Sequence, residues 1–565
     1  MKDFLFKISE KNGITTFEMN KPNASVNVFS TSAARQIDEY FENLDVKKTK
    51  AIVFKSTKPF SFLNGAELIM TKAIKSFDDI QSFTEITRRA YERVAHSPVP
   101  TIAAISGNCF GCGMEFVLGC DYRFASNSFD TQFYLTELID YYLLPLFGST
   151  FRLEPLVGLT EAVDLLVFGK KIHSEEGLRI GLIDKVLDHH QFDKNLDDVI
   201  ELLKKDEFPK KNQNKRYGPD RRDINRNHQG HKKVNIQKYK KEIYSRIESL
   251  PPMRQDLYKA CFEEILRYSK LEDKESVTEG GDHTVSNTFK TLSTEASRCA
   301  TTFFFRKEMA KIVEAGSNPR DFFRSNGLAI SLKEKKGFVG DLLSNIYLDK
   351  LDLHFDKKQE EDIVIRLKNK ENISLQILSE ENEEVSCNSF IHFPFAEQIK
   401  YVEFFCKQKD VFLIRHVLSF FNLIDWHTVL VVLDDVKKST KEIVVEKSPS
   451  YRLLSEAKVF LHTDPNRTLR LQQTLWFMGF EMPVHGLFQD LGMIGRNMKA
   501  PNGLELEQAY KFMMIINKTF TDLLSEGTLK HRAVADVLAH LIFGFPTGLG
   551  SFLEFVKEEE KRLCA

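Results

Sequence analysis

The sequence has no surplus of charge. Its 565 residues include 79 Lys and Arg against 80 Asp and Glu, a formal net charge of −1. Chains that bind nucleic acid over their whole surface carry a basic excess, so no nucleic-acid partner is expected. Cysteine is sparse and irregular, eight residues at positions 109, 112, 120, 261, 299, 387, 406 and 564. That excludes a disulfide framework and fits a reducing compartment. Cys109-Phe110-Gly111-Cys112 has no second pair or histidine partner at zinc-finger spacing, so no metal is expected there. The first ten residues include Asp3 and Glu10 and lack the apolar core of a secretory signal. The most apolar long stretch, residues 411–433, contains Arg415, His416, Asp425 and His427. It predicts a buried helix followed by a strand, not a membrane span. A cytoplasmic protein is expected. No fixed-period repeat occurs.

What is present is an ordinary globular mixture, 42% hydrophobic and 28% charged, long enough for about three or four domains. Residues 1–190 alternate β-like runs (Ile14–Met19, 51–55, Thr101–Ile105) with helical spacing over 31–44 and 77–97. That alternation implies stacked ββα or βαβ units. Residues 209–241 hold twelve Lys/Arg against Asp220 and Asp223, a local charge of +10, with few large apolar residues. They read as a solvated insert between domains, and the alternative is an anionic docking site. Tyr217 and Tyr239 are the sole aromatics there, which disfavours RNA. Helical spacing resumes over 243–315, strands recur at Leu328–Leu332, 363–365 and 428–433, and about the last 90 residues look helical.

The chemistry concentrates in Ser106-Gly107-Asn108-Cys109-Phe110-Gly111-Cys112-Gly113-Met114-Glu115. A buried strand runs into a glycine-rich turn that opens a helix with Glu115 near its start. Glycines allow close backbone approach to a ligand, and free N–H groups at a helix N-terminus receive an oxyanion. A glutamate in a first turn also serves simply to offset the helix dipole.

This stretch resembles the signature of the crotonase (enoyl-CoA hydratase/isomerase) family. Further pieces follow in family order. Ser25-Val26-Asn27 resembles the strand end beside the CoA moiety, and Asn64-Gly65-Ala66-Glu67 the oxyanion-hole segment. Leu135-Thr136-Glu137 resembles the Pro-Glu that supplies a second carboxylate. Arg152-Leu153 through Gly158-Leu159, and Gly169-Lys170 through Ile183-Asp184, resemble later motifs. The resemblance implies catalytic roles for Glu115 and Glu137, backbone oxyanion donors at Ala66 and Cys112, and substrate or CoA contacts at Gly65, Gly111 and Asn27. Cys112 stands where the family has glycine. Tyr141-Tyr142 replace a glycine-containing turn, and counting back from Pro145 without a gap places Leu138 at the carboxylate position instead of Glu137.

The remainder resembles the dehydrogenase half of the fatty-acid oxidation complex alpha subunit. Phe289 to Arg298 with Phe303-Phe304-Phe305 is similar to its linker, and Gly544-Phe545-Pro546 to its closing motif. His392 and Glu403 resemble its His-Glu dyad. A histidine with no catalytic task is an equal reading of His392. A dinucleotide fold needs G-x-G-x-x-G after its first strand. Here Lys333-Glu334-Lys335-Lys336-Gly337-Phe338-Val339-Gly340 follows, so NAD binding is doubtful. Gly492-Met493-Ile494-Gly495-Arg496-Asn497 has the last two residues of its motif exchanged.

The expected architecture is α/β. It comprises an N-terminal crotonase ββα spiral (1–190), a helical linker with the basic insert 209–241 (191–315), a degenerate Rossmann-like domain (316–475) and an all-α dehydrogenase-type domain (476–565). The expected activity is hydration of 2-enoyl-CoA in fatty-acid β-oxidation, with isomerisation as an addition, no cofactor for hydration and an inactive dehydrogenase half. The alternatives are a bifunctional hydratase/NAD dehydrogenase and a non-catalytic scaffold. Expected partners are an acyl-CoA thioester, a thiolase subunit and further copies of the chain in an oligomer.

Overall fold

The structure is a computed structural model. It describes residues 5–67, 77–204, 235–268, 297–310, 328–332, 351–355, 363–366, 372–378, 389–394, 401–407, 417–433, 440–461, 465–480 and 500–564, short gaps within these excepted. The motifs at 209–234, 333–340 and 492–497, and Ser25, lie outside the described residues. The chain divides into two compact units, residues 1–247 with 256–298, and residues 248–255 with 299–565. No described helix is long and apolar enough to cross a membrane.

The first unit opens with β1 (Phe6–Lys11), β2 (Ile14–Met19), α1 (Thr31–Glu42), β3 (Ala51–Ser56), β4 (Ser61–Asn64) and α2 (Phe77–Ala95). Next come β5 (Thr101–Ile105), β6 (Asn108–Phe110), α3 (Cys112–Gly119), β7 (Tyr122–Ser126), β8 (Gln132–Tyr134) and α4 (Glu137–Tyr141). The short helices α5 (Ser149–Arg152) and α6 (Glu154–Val157) lead to α7 (Leu159–Leu166), β9 (Ile172–His173), α8 (Ser174–Ile180), β10 (Lys185–Leu187), α9 (Phe192–Lys204), α10 (Ile236–Glu248) and α11 (Pro252–Tyr268).

Two sheets result, in the orders β1-β2-β3-β5-β7-β10 and β4-β6-β8-β9. All five residues of β5 are buried, as expected for a parallel strand covered on both faces. The chain does not pass directly from β5 into a helix. It first makes β6, which pairs in parallel with β4 and with β8, so each half of the motif feeds a different sheet. The unit also continues past residue 190, because Leu196, Val199 and Ile200 of α9 join the core formed by Ile14, Val53, Ile102 and Phe124.

Helix α3 is buried along its whole length. Phe116 fastens it to the first sheet through an edge-on contact with Phe54, centroids 4.9 Å apart, and to α2 through Tyr91 at 5.2 Å. Tight approach on the other side depends on Gly113. A Cβ there would lie 2.1 Å from the Leu63 carbonyl oxygen of β4.

The second unit contains β11 (Leu328–Leu332), β12 (Leu351–Phe355), β13 (Ile363–Arg366), β14 (Asn372–Leu378), β15 (Ser389–His392), β16 (Tyr401–Lys407) and β17 (His427–Leu433). Its helices are α12 (Thr440–Lys447), α13 (Pro449–Leu461), α14 (Pro465–Phe477), α15 (Gly503–Ser525), α16 (Arg532–Phe543) and α17 (Phe552–Cys564). Asn502 and Glu505 form a reciprocal capping box that starts α15. The C-terminal region is helical, around a core that includes Phe512, Phe520, Phe543, Phe545 and Phe552. The seven-stranded sheet, order β12-β11-β13-β14-β15-β16-β17, is mixed. Three of its pairings are parallel and three antiparallel, and antiparallel β13 lies directly beside β11. A doubly wound dinucleotide sheet is mostly parallel, so this sheet departs from the Rossmann pattern.

Gly113→Ala forces backbone against backbone, which no rotamer change relieves. The variant should lose about 3 kcal/mol, the upper end of overpacking costs, seen as a lowered first thermal transition. An unchanged transition would show that α3 can withdraw from β4.

Candidate active site

Parallel pairing of β4 with β6 sets Asn64 opposite Phe110. The residues that follow, Gly65 and Gly111, both take positive φ, +90° and +53°. The chains leave the sheet side by side at this point. A Cβ on Gly111 would lie 2.7 Å from Thr136 Oγ1 and 2.9 Å from Glu137 Oε1, so glycine is needed here. On one branch Phe29 N–H donates to the Gly65 carbonyl and Glu67 N–H to the Phe29 carbonyl. The Ala66 N–H between them has no hydrogen-bond acceptor among the described residues. On the other branch Cys112 is the first residue of α3, whose opening N–H groups have no intrahelical partner. Tyr91 Oη donates to the Cys112 carbonyl at 2.8 Å and holds that peptide in place.

Glu115, 1% exposed, sits in the first turn of α3. Its Oε1 accepts from Phe147 N–H at 2.9 Å, Ser149 N–H at 3.1 Å and Ser149 Oγ–H at 3.0 Å. Burial pushes its carboxyl up, and these donors oppose that shift. Glu137 stands at the start of α4, and its Oε2 is buried with no hydrogen-bond partner among the described residues. Burial, then the charge of Glu115, push its carboxyl well above the ordinary range. The geometry thus brings Glu115 and Glu137 together. Leu138 is buried and apolar, 2% exposed, and offers no carboxylate. Tyr142, in place of the glycine-containing turn, adopts φ +54° itself. Left-handed backbone costs a residue with a Cβ roughly 1–2 kcal/mol.

Asn27 differs from its expected place beside a ligand. It is fully buried, its Nδ2 donating to Ser56 Oγ at 2.9 Å and the Phe62 carbonyl at 3.2 Å, while its Oδ1 accepts from Lys21 N–H at 2.9 Å. The side-chain amide ties three segments together, so in this structure it acts as a buried clip. Cys109 and Cys112 are free, buried thiols, and burial pushes both well up. Phe147, Ser149, Tyr91 and Gly113 escaped sequence reasoning as site residues. For the first two no local signal exists, because the bonds to Glu115 cross 32 and 34 positions.

In the second unit antiparallel register places His392 opposite Glu403, with Nδ1 and Oε2 3.1 Å apart. Glu403 is fully buried and also accepts from Tyr401 Oη at 2.9 Å, Ser448 Oγ at 2.6 Å and Ser450 N–H at 2.9 Å. Burial pushes its carboxyl up, but His392, Ser448 and Ser450 together outweigh that and hold it below the ordinary range.

Residues 9–217 match the model described as enoyl-CoA hydratase/isomerase, and this chain carries a crotonase domain at its N-terminus. Among relatives, the fatty acid oxidation complex subunit alpha of Vibrio campbellii is 33% identical over 184 residues, 32% of this chain and 26% of that protein. The subunit of Vibrio cholerae is 32% identical over 170 residues, 30% of this chain and 24% of that protein. The match thus spans about a quarter of those relatives' length. A solved enoyl-CoA hydratase from Geobacillus kaustophilus is 22% identical, with a TM-score of 0.34, over 36% of this chain and 75% of that one.

A carboxyl held down in the folded state stabilises above the unfolded carboxylate pKa, about 4.3 for Glu. That contribution is lost as pH falls through the folded value. Glu403→Gln should therefore destabilise the second unit at pH 7, and the gap from the unaltered protein should narrow on acidification. A gap in melting temperature that stays constant as pH falls from 7 to well below about 4.3 would contradict the depressed carboxyl.

Proposed function

We propose that this chain hydrates 2-enoyl-CoA thioesters in fatty-acid oxidation. The observation that carries this reading is that the Ala66 and Cys112 N–H groups, with no hydrogen-bond acceptor among the described residues, each follow by two residues the paired positions Asn64 and Phe110, in a unit that also buries two carboxyls of unlike environment. Adding water across the double bond places negative charge on the thioester oxygen. An N–H donor aimed at such an oxygen is worth roughly 3–4 kcal/mol in the transition state.

The two glutamates divide the proton work. Glu115, with several donors on its carboxylate, is the ionised member and takes a proton from water as the water oxygen bonds to the β-carbon. The π electrons pass to the thioester oxygen. Glu137, its carboxyl raised by burial and by Glu115, is the protonated member and delivers a proton to the α-carbon. Paired carboxyls whose surroundings push their pKa values apart supply an acid and a base on one site. No cofactor enters this scheme.

The second half is inferred to lack NAD chemistry. Support comes from the residues after β11, where Lys333, Glu334, Lys335 and Lys336 occupy the positions at which glycines admit a pyrophosphate. The mixed sheet adds to this.

Glu115→Gln and Glu137→Gln should each lower turnover of a short-chain 2-enoyl-CoA by about 10²–10⁴, the usual contribution of a positioned acid or base. Full activity in either variant, with the fold intact, removes that residue from the mechanism. NADH formation from a 3-hydroxyacyl-CoA and NAD should be absent. Turnover near about 10 s⁻¹, the enzyme median, would make the bifunctional reading the better one.

A further inference from the structure

We propose that Ser149 and Arg152 are positioning residues: with Glu92 they pin the turn over residues 147–149 so that its donors converge on Glu115 and keep it ionised. This rests on the hydratase reading, in which Glu115 is the base.

A carboxylate buried as Glu115 is loses several kcal/mol of hydration, so its charged form persists only where donors replace water. Glu115 draws those donors from one turn, through Phe147 N–H, Ser149 N–H and the Ser149 hydroxyl. A turn of this kind holds its donors in place only if something fixes it from behind. Arg152, 2% exposed, does so. Its Nη1 donates to the Phe147 carbonyl at 2.7 Å, and its backbone N–H to the Gly148 carbonyl at 2.8 Å. Its Nη2 forms an ion pair with Glu92 of α2. Gly148, at φ +115°, leaves room for the guanidinium, since a Cβ there would lie 2.3 Å from Nη1.

Glu92 is fixed in turn. Burial pushes its carboxyl up, but Arg152 and His96 outweigh this and lower it to about 2. It stays charged at any pH of interest, so the clamp does not titrate with the site. Among the described residues, the titratable groups facing Glu115 are Glu137 from α4, Tyr91 from α2 and Cys112 from α3. Burial pushes Tyr91 and Cys112 well up, which leaves both neutral. Of these groups, the charge that can change near Glu115 is therefore that of the Glu115–Glu137 pair.

Removing a donor to the charged form raises the pKa of Glu115. A smaller fraction is then ionised at low pH, and the acid limb of the kcat/KM profile moves to higher pH. Ser149→Ala and Arg152→Met in the full chain should both shift that limb upward. Arg152→Met should also lower kcat by about 10²-fold with KM nearly unchanged, as small misplacements of a catalytic group do. Arg152→Lys, which keeps a cation for Glu92, should recover part of the loss. Should Arg152→Met fail to fold, Ser149→Ala and Glu92→Gln carry the same test. An unmoved acid limb in folded variants, with Glu115→Gln inactive, overturns the positioning role and leaves the hydratase reading standing. A fully active Glu115→Gln instead overturns the hydratase reading itself.

Discussion

The first unit's site depends on one close approach, that of α3 to β4 at Gly113. The Leu63 carbonyl occupies the space a side chain would need, so the helix start lies directly on the strand. Because β4 and β6 are parallel and in register at Asn64 and Phe110, both chains leave the sheet at one level. Ala66 and Cys112 follow two residues later on adjacent branches, and Glu115 sits within the first turn beyond. A larger residue at 113 would separate the two branches. The N–H groups could then no longer act on one atom.

Such proximity has an electrostatic consequence. Two carboxyls drawn into one buried site cannot both stay charged cheaply, since each charge raises the other. The structure answers with asymmetry. Glu115 receives three donors from the 147–149 turn, whereas Glu137 Oε2 receives none among the described residues. The difference between the two carboxyls thus comes from where donors were placed, not from residue type. A second pair in the same unit, Arg152 and Glu92, lies behind the donors and is spared that conflict because its charges are opposite.

Sequence reasoning succeeded where the determinants were local. The apolar run of β5, the glycine pair around Cys112 and a glutamate one turn into α3 are all legible within fifteen residues. The close contact of Glu137 with Gly111 was legible only by analogy, and the count back from Pro145 pointed to Leu138. Helix α4 ends in a left-handed cap at Tyr142, a conformation that periodicity does not announce. The three-residue strand β6 was hidden because it is too short to show alternation. The role of Asn27 was misplaced for a different reason. An asparagine at a strand end is chemically equal to a ligand contact or a buried clip, and only the positions of Ser56, Ser61 and Phe62 decide between them.

The same reasoning bears on His392 and Glu403. Their register and 3.1 Å contact survive in a sheet that is mixed, so the dyad does not require the dinucleotide pattern around it. Glu403 also holds the start of α13 through Ser448 and Ser450, and a carboxylate at a helix N-terminus is favoured by the helix dipole. Leaving a fully buried carboxyl such as Glu403 short of a hydrogen-bond partner typically costs about 1–3 kcal/mol, a sizeable share of a domain's stability. Stability alone is therefore enough to retain Glu403 and its partners. The His392–Glu403 contact is thus evidence about folding and not about activity.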